Sequence, residues 1–312
     1  MSSHRVVALG GGHGLAASLA ALRLVCDRIT AVVTVADDGG SSGRLRQEFG
    51  VLPPGDLRMA LAALCDNTAW GQKWSDVLQH RFSGEGPLGG HALGNLLILA
   101  LWDLDPDPVA GLDLVGRLLN ARGRVLPMAA VPLEIRAQVA LDPSRPDAVM
   151  TVTGQHNVAS TGGLVKSIAL EPASPPCREE TLQAIADADC VILGPGSWFT
   201  SVLPHLLVPQ LLAALQRTRA RRVLTLNLEM HTDETIGFSA SGHIDSLAQH
   251  APGLRLDAVL ADPSVVREDP GLAQAVHRIG AELIVATVAG RDPGHHDLLR
   301  LAAAYRDLLL TP

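Results

Sequence analysis

The chain of 312 residues has few aromatic side chains: one tyrosine, four phenylalanines and four tryptophans, 3% of the total. A core without rings must be filled by Ala, Val, Leu and Ile, which is the composition of helices packed on a buried sheet. Cysteine is scarce as well. Cys26, Cys65, Cys177 and Cys190 are far apart, without a Cys-x-x-Cys or a histidine at ligand spacing, which excludes a zinc ribbon and a disulfide framework and reads as buried thiols in a reducing cytoplasm. Apolar runs such as Leu96–Trp102 are too short to cross a bilayer. Met1–Arg5 leads straight into a strand and leaves no room for a secretory leader. A basic excess is also missing: the formal net charge is −7, which argues against a broad nucleic-acid surface but leaves room for a local arginine cluster facing a phosphorylated ligand. No flexible linker divides the chain, so residues 1–312 are expected to form one domain, cytoplasmic and not inserted in a membrane.

What is present gathers around Thr34–Arg46, Thr-Val-Ala-Asp-Asp-Gly-Gly-Ser-Ser-Gly-Arg-Leu-Arg. The β-branched run Ile29–Val35 ends in two carboxylates followed by small residues. Adjacent aspartates repel unless a cation or a set of donors offsets them, and Gly39, Gly40 and Gly43 permit the close backbone approach of a phosphate or a metal. The competing reading is a solvated loop whose aspartates cap the next helix.

Upstream, Arg5–Gly10 reads as a buried strand, Gly11-Gly12-His13-Gly14 as a turn, and Leu15–Val25 as a helix. Gly12, Gly14 and Ala17 satisfy a Gly-x-Gly-x-x-Ala spacing that would place an anion on that helix N-terminus. His13 is open to a ligand contact or to a plain loop role. Downstream, Pro53-Pro54-Gly55-Asp56 reads as a turn whose aspartate caps the next helix and becomes a third site carboxylate if the fold brings it beside Asp37 and Asp38. Trp70–Phe82 is expected to be helical, and Gly84–Gly90 to be a loop delivering His91 and Asn95 into an apolar helix ending near Trp102.

Val125–Leu126, Leu133–Leu141, Ala148–Thr153 and Leu164–Leu170 read as short strands with turns at Asp142–Pro146 and Thr161–Gly163: an antiparallel excursion over about 124–170, inserted in or added to the edge of the main sheet. After a helix over Glu179–Ala186, the strand Asp189–Gly194 runs into Pro195-Gly196-Ser197-Trp198-Phe199-Thr200-Ser201. There Gly194 and Gly196 offer backbone donors, and Ser197, Thr200 and Ser201 add hydroxyls. Strands at Arg222–Leu228, with Asn227 near the carboxyl end, at Asp257–Leu260 and at Leu283–Val288 alternate with helices near Ser241–His250, Leu272–Ile279 and His296–Leu310. The fold class is therefore α/β, Rossmann-like and doubly wound on a mostly parallel sheet, with its ligand crevice at the strands' carboxyl ends.

These segments resemble the gluconeogenesis factor (YvcK-type) branch of the family that also contains 2-phospho-L-lactate transferase (CofD-type). The resemblance rests on Gly10–Leu15, Thr34–Arg46, Val51–Arg58, Gly90–Asn95, Leu118–Pro127 and Gly194–Ser201, in family order over most of the chain. It implies a regulatory protein that binds a UDP-sugar such as UDP-N-acetylglucosamine and links carbon metabolism to cell-wall synthesis and cell shape, without an established reaction. For the transferase branch it implies transfer of a phospholactyl group from a nucleotide diphosphate donor with a divalent metal held by carboxylates. By position Asp37, Asp38 and Asp56 are then the Mg2+ candidates. Phosphates are expected on Gly11, Gly12, His13, Gly14, Gly194, Gly196, Ser197, Thr200 and Ser201, with Asp37 or Asp38 on a ribose or metal, Ser41, Ser42, Arg44 and Asn95 around them, and Asn227 reading part of the nucleoside. The segment Glu229–Thr235 departs from the family string, and His231, Asp233 and Glu234 are expected to be a solvated loop. Turnover and self-association into a homo-oligomer stay open.

Overall fold

A computed structural model of the chain describes residues 2–142, 145 and 147–310. Its main sheet has seven strands: β1 (Ser2–Gly10), β2 (Cys26–Val33), β3 (Arg124–Pro127), β7 (Cys190–Leu193), β8 (Arg221–Thr225), β9 (Ala258–Ala261) and β10 (Glu282–Val285). All six neighbouring pairs are parallel, in the order β10-β9-β8-β7-β1-β2-β3. Val6–Leu9 and Cys190–Leu193 are buried on both faces, as continuous apolar runs in a covered parallel sheet should be. A second sheet is antiparallel, β5-β4-β6, from β4 (Glu134–Ala140), β5 (Val149–Thr153) and β6 (Leu164–Glu171).

The winding decides where a ligand can go. From β1 the chain builds outward through β2 to β3, then returns to place β7 on the other flank of β1 and builds outward to β10. The direction reverses between β1 and β7, and a crevice opens at such a switch point beyond the strands' carboxyl ends. Leu9 pairs with Leu193, so both strands finish side by side, at Gly10 and Gly194. The first five helices are α1 (Gly12–Leu22), α2 (Gly40–Phe49), α3 (Pro54–Leu64), α4 (Ala69–Gln79) and α5 (Leu93–Leu104). The single tyrosine, Tyr305 on the helix Leu298–Leu310, is fully buried; its hydroxyl lies 2.9 Å from Ser18 Oγ and 3.2 Å from Thr225 Oγ1, tying that helix to α1 and to β8.

Two expectations change, and one helix is new. The segment at Val125–Leu126 belongs to the parallel sheet, pairing with β2 through Val125 opposite Ala31, so the antiparallel excursion begins only at Glu134. That excursion forms its own sheet rather than extending the edge of the main one, and a short helix, Gln155–Ala159, closes it. A helix at Pro108–Leu118, N-capped by Asp107 Oδ1 accepting from Val109 N–H, precedes β3 and had no reading from the sequence. Part of the expected turn over Asp142–Pro146, namely Pro143, Ser144 and Pro146, lies outside the described residues.

Candidate functional site

At the switch point the two glycine loops interlock. A Cβ on Gly14 would stand 2.4 Å from Pro195 O and 2.5 Å from Gly196 Cα, so only glycine lets the α1 N-terminus touch the loop after β7. Gly11 is equally confined: a Cβ there would meet Thr34 Cγ2 at 2.4 Å and Asp56 Oδ2 at 2.7 Å, with Ser201 Oγ at 3.3 Å. The β1 loop therefore joins two walls, one carrying Asp56 and the other carrying Ser201.

On the first wall, α2 and α3 present their N-terminal turns. Gly39 caps α2 without a side-chain bond, and its N–H donates to Asp37 Oδ1 at 3.0 Å. Asp56 was expected to cap α3; the cap is Pro53, and Asp56 sits inside the first turn, buried, as an acceptor for the Gly12 N–H. Its Oδ2 has no hydrogen-bond partner among the described residues. Burial first, and then the charge of Asp37, push the Asp56 carboxyl up to about 7. Beside it Arg58, 4% exposed, donates from Nε to Asn95 Oδ1 at 2.9 Å, Asn95 Nδ2 donates to Ser41 Oγ at 3.0 Å, and Ser41 Oγ lies 3.0 Å from His91 Nδ1. Burial and the neighbouring Arg81 lower Arg58 to about 10, and burial with Arg44 lowers His91. Arg44 and Arg81 reach out to hold the loop over Gly84–Gly90, donating to Gly89 O at 2.8 Å and to Gly90 O at 2.9 Å. Asp37, Gly40, Ser41, Ser42, Asp56, Arg58, Arg81 and Asn95 line a cleft of about 250 Å³.

The second wall is better satisfied. Asn227, expected to read a nucleoside, spends both amide atoms on one residue: Oδ1 accepts from Gly196 N–H at 2.9 Å and Nδ2 donates to Gly196 O at 2.8 Å. It fixes the cradle rather than facing into it. Glu234, expected in a solvated loop, is 3% exposed; its carboxylate accepts from Thr200 Oγ1 at 3.1 Å and from the Trp198 and Phe199 N–H groups, and burial raises it to about 7. His231 and Asp233 are exposed as expected. Behind Ser201, buried His205 sets Nδ1 2.9 Å from Ser201 O and Nε2 3.1 Å from Val32 O, packing the turn against β2; burial pushes it down to about 4, so the neutral ring donates to one of the two carbonyls. Exposed His13 and Ser197 line a second cavity of about 220 Å³ with Gly14, Gly196, Glu229 and His296.

Of the expected site residues, Asp37, Ser41, Ser42, Asp56 and Asn95 line the first cleft and His13, Gly14, Gly196, Ser197 and Asn227 line the second, whereas Gly11, Gly12, Asp38, Arg44, Gly194, Thr200 and Ser201 line neither. Asp38 Oδ1 accepts from His156 N–H at 2.9 Å, at the start of the Gln155–Ala159 helix, and it lines neither cavity. Among the described residues no group of three or more His, Cys, Asp or Glu side chains is arranged to hold a metal, so Asp37, Asp38 and Asp56 do not form a three-carboxylate set. Asp37 and Asp56 with the orphaned Oδ2 suit the kind of site Mg2+ uses, in which one or two carboxylates are completed by water and ligand phosphates. A larger cavity, about 680 Å³, lies at the amino ends of β1, β2 and β3 between Arg5, Arg28, Arg124 and Glu180, away from the glycine loops.

Comparison with known proteins places this geometry. The family model described as 2-phospho-L-lactate transferase CofD matches residues 6–287. The chain belongs to the CofD family. Within it, a Mycobacterium leprae protein named "Putative gluconeogenesis factor" is 49% identical over 302 residues, covering 96% of this chain and 84% of that one. The Bacillus subtilis protein named gluconeogenesis factor is 37% identical over 265 residues, covering 85% of this chain and 80% of that one. The crystal structure of a UPF0052 family member from Bacillus halodurans superposes with a TM-score of 0.85 at 32% identity, covering 97% of this chain and 99% of that chain. The Rossmann-like reading of the CofD-family chain agrees with that likeness, and no single helix among the described residues is long and apolar enough to cross a membrane.

Proposed function

We propose that this CofD-family chain binds a nucleotide-sugar diphosphate of the UDP-N-acetylglucosamine class across the junction of its two glycine loops and acts as a cytoplasmic regulatory protein. On this reading it couples carbon metabolism to cell-wall synthesis and cell shape, as the gluconeogenesis factor name of its relatives suggests. One observation carries the reading: Gly14 packs on Pro195 and Gly196 while Asn227 holds Gly196 by both its N–H and its C=O, so the N-terminal turn of α1, with the free N–H groups of a helix start, is pinned where the two loops cross. Such donors at helix starts attract phosphate without side-chain charge. The cavity with His13, Asn227 and Glu229 leads away from that point on the β8 side and offers room for the rest of the ligand. UDP-N-acetylglucosamine should raise the melting temperature saturably, and Gly196→Asp, which sets a carboxylate in the cradle, should abolish the rise. A wild-type melting temperature indifferent to millimolar ligand would remove the proposal.

The unpartnered Asp56 oxygen supports a second reading, an Mg2+-dependent transfer from a nucleotide-activated donor, with Asp37 and Asp56 holding the ion. Its test is metal-dependent consumption of the donor, lost in Asp37→Asn with the fold intact. Donor recovered unchanged after prolonged incubation leaves the regulatory reading standing.

A further inference from the structure

The cleft between α2, α3 and α5 shares no lining residue with the cavity assigned to the nucleotide sugar. Its volume is about 250 Å³, and Arg81, which lines it, also holds the Gly84–Gly90 loop together with Arg44. Its charge is also unusual. Arg58 is more than nine-tenths buried and lines the cleft with Arg81, yet among the described residues neither guanidinium forms an ion pair. A buried guanidinium outside an ion pair is costly even with Asp37 and Asp56 in the same cleft, and an anion from outside would complete it.

The surrounding groups prepare Arg58 for that task. Asn95 takes the Nε–H and is itself held by Ser41, which meets His91, so the guanidinium plane is set and the terminal fork is left as its remaining donors. The planar fork matches the oxygens of a carboxylate or phosphate. The first turn of α2, at Gly40, Ser41 and Ser42, lines the same cleft with the positive end of a helix of ten residues. Asp37 and Asp56 occupy the opposite charge sense on the wall toward the glycine loops, and they would push an anion toward Arg58 and Arg81.

We propose that this cleft is a second subsite, specific for the oxyanion of a small acid, beside the diphosphate cradle and separate from it. The shared chemistry is a planar or tetrahedral oxyanion gripped by Arg58 and Arg81; inorganic phosphate and acetate distinguish a phosphate monoester from a carboxylate as its source. It goes beyond the nucleotide-sugar reading and makes the protein a receptor of two ligands.

The test titrates the intact chain with phosphate or acetate, at constant ionic strength set by chloride, and follows thermal stabilisation with and without UDP-N-acetylglucosamine. One of the two anions should stabilise saturably. Arg81→Met should weaken that response about ten-fold or more, beyond any fall in its anion-free melting temperature from the lost bond to Gly90 O, while its response to the nucleotide sugar stays near wild type. Arg58→Lys, which keeps the charge but loses the fork, should weaken it likewise. Gly196→Asp should leave it in place, which separates this subsite from the nucleotide reading. Stabilisation no greater than chloride gives, an equal response in Arg81→Met, or a response abolished by Gly196→Asp alone would each overturn the proposal; the last would assign the anion to the diphosphate cradle.

Discussion

The two walls of the crevice are built from the same local pattern, a buried strand ending in glycine and running into a helix, yet they are finished differently. On the β7–β8 wall the polar atoms that matter have internal partners: Asn227 holds Gly196, Glu234 takes the donors of Trp198, Phe199 and Thr200, and His205 packs Ser201 against β2. On the β1–β2 wall, among the described residues, Asp56 Oδ2 has no partner, Asp37 repels it, and buried Arg58 and exposed Arg81 lack ion pairs. The β7–β8 wall is a frame and the β1–β2 wall is a set of unbalanced charges. A protein tolerates unbalanced buried charge where binding uses it, so the difference separates what shapes the crevice from what meets the ligand.

The largest effect should come from breaking the contact between the walls. In Gly14→Ala the new methyl group meets two backbone atoms, Pro195 O and Gly196 Cα, neither of which can rotate away, and a loss of about 3 kcal/mol is expected from overpacking. Gly12→Ala is the control two residues away: its φ of +57° adds strain, but the nearest atom to a Cβ is Asp56 Oδ1 at 4.0 Å, so the cost should be nearer 1 kcal/mol. Urea denaturation of both variants measures the gap. Equal losses would show that the loops are not interlocked.

A smaller effect of opposite sign should appear on the unbalanced wall. The Asp56 carboxyl is raised from 3.8 to about 7, so the folded state holds a proton that the unfolded state releases. That contribution to stability is fully present below about pH 4 and is lost as pH rises through 7. Asp56→Asn keeps an acceptor for the Gly12 N–H and removes the ionisation. It should therefore stabilise the free protein by on the order of 2 kcal/mol at pH 8, with little gain at pH 4. The same change should weaken ligand-dependent stabilisation if Asp56 serves the site. Glu234→Gln, on the satisfied wall, should shift stability in the same sense as Asp56→Asn, because burial raises Glu234 from 4.5 to about 7, with a gain at pH 8 that the acceptor lost toward Thr200 makes smaller.

Much of this plan was legible in the chain. Apolar runs ending in glycine mark β1 and β7, and a two-sided parallel sheet with its crevice at their ends follows from them. Partners distant in sequence were not legible. Nothing near Glu229–Thr235 tells that Glu234 turns inward, because the donors it satisfies lie at Trp198–Thr200 and come together only when β8 pairs with β7. Asn227 was recognised by its place at a strand end, but its role as a clamp depends on Gly196, which the sheet register brings alongside. Val125–Leu126 was grouped with the antiparallel strands because a run this short carries no periodicity to separate it from its neighbours.

The finest distinction concerns the adjacent pair Asp37 and Asp38, which composition and spacing cannot separate. Asp37 lines the Arg58 cleft beside Asp56, whereas Asp38 reaches His156 N–H, 118 residues away, and ties the antiparallel sheet's short helix to the loop after β2. A Cβ on Gly154 would stand 2.3 Å from Asp38 Oδ2, so that loop is shaped around the aspartate. Asp38→Ala should cost about 1 kcal/mol, the worth of a lost cap. Its affinity for the nucleotide sugar should stay within about two-fold of wild type, since a lost scaffold bond leaves the donors at the cradle in place. Asp37→Asn should show the reverse, near-native stability with weakened metal or ligand response. Isothermal titration beside urea denaturation resolves the pair, and an Asp38→Ala protein that is stable but unable to bind would place both aspartates on the ligand.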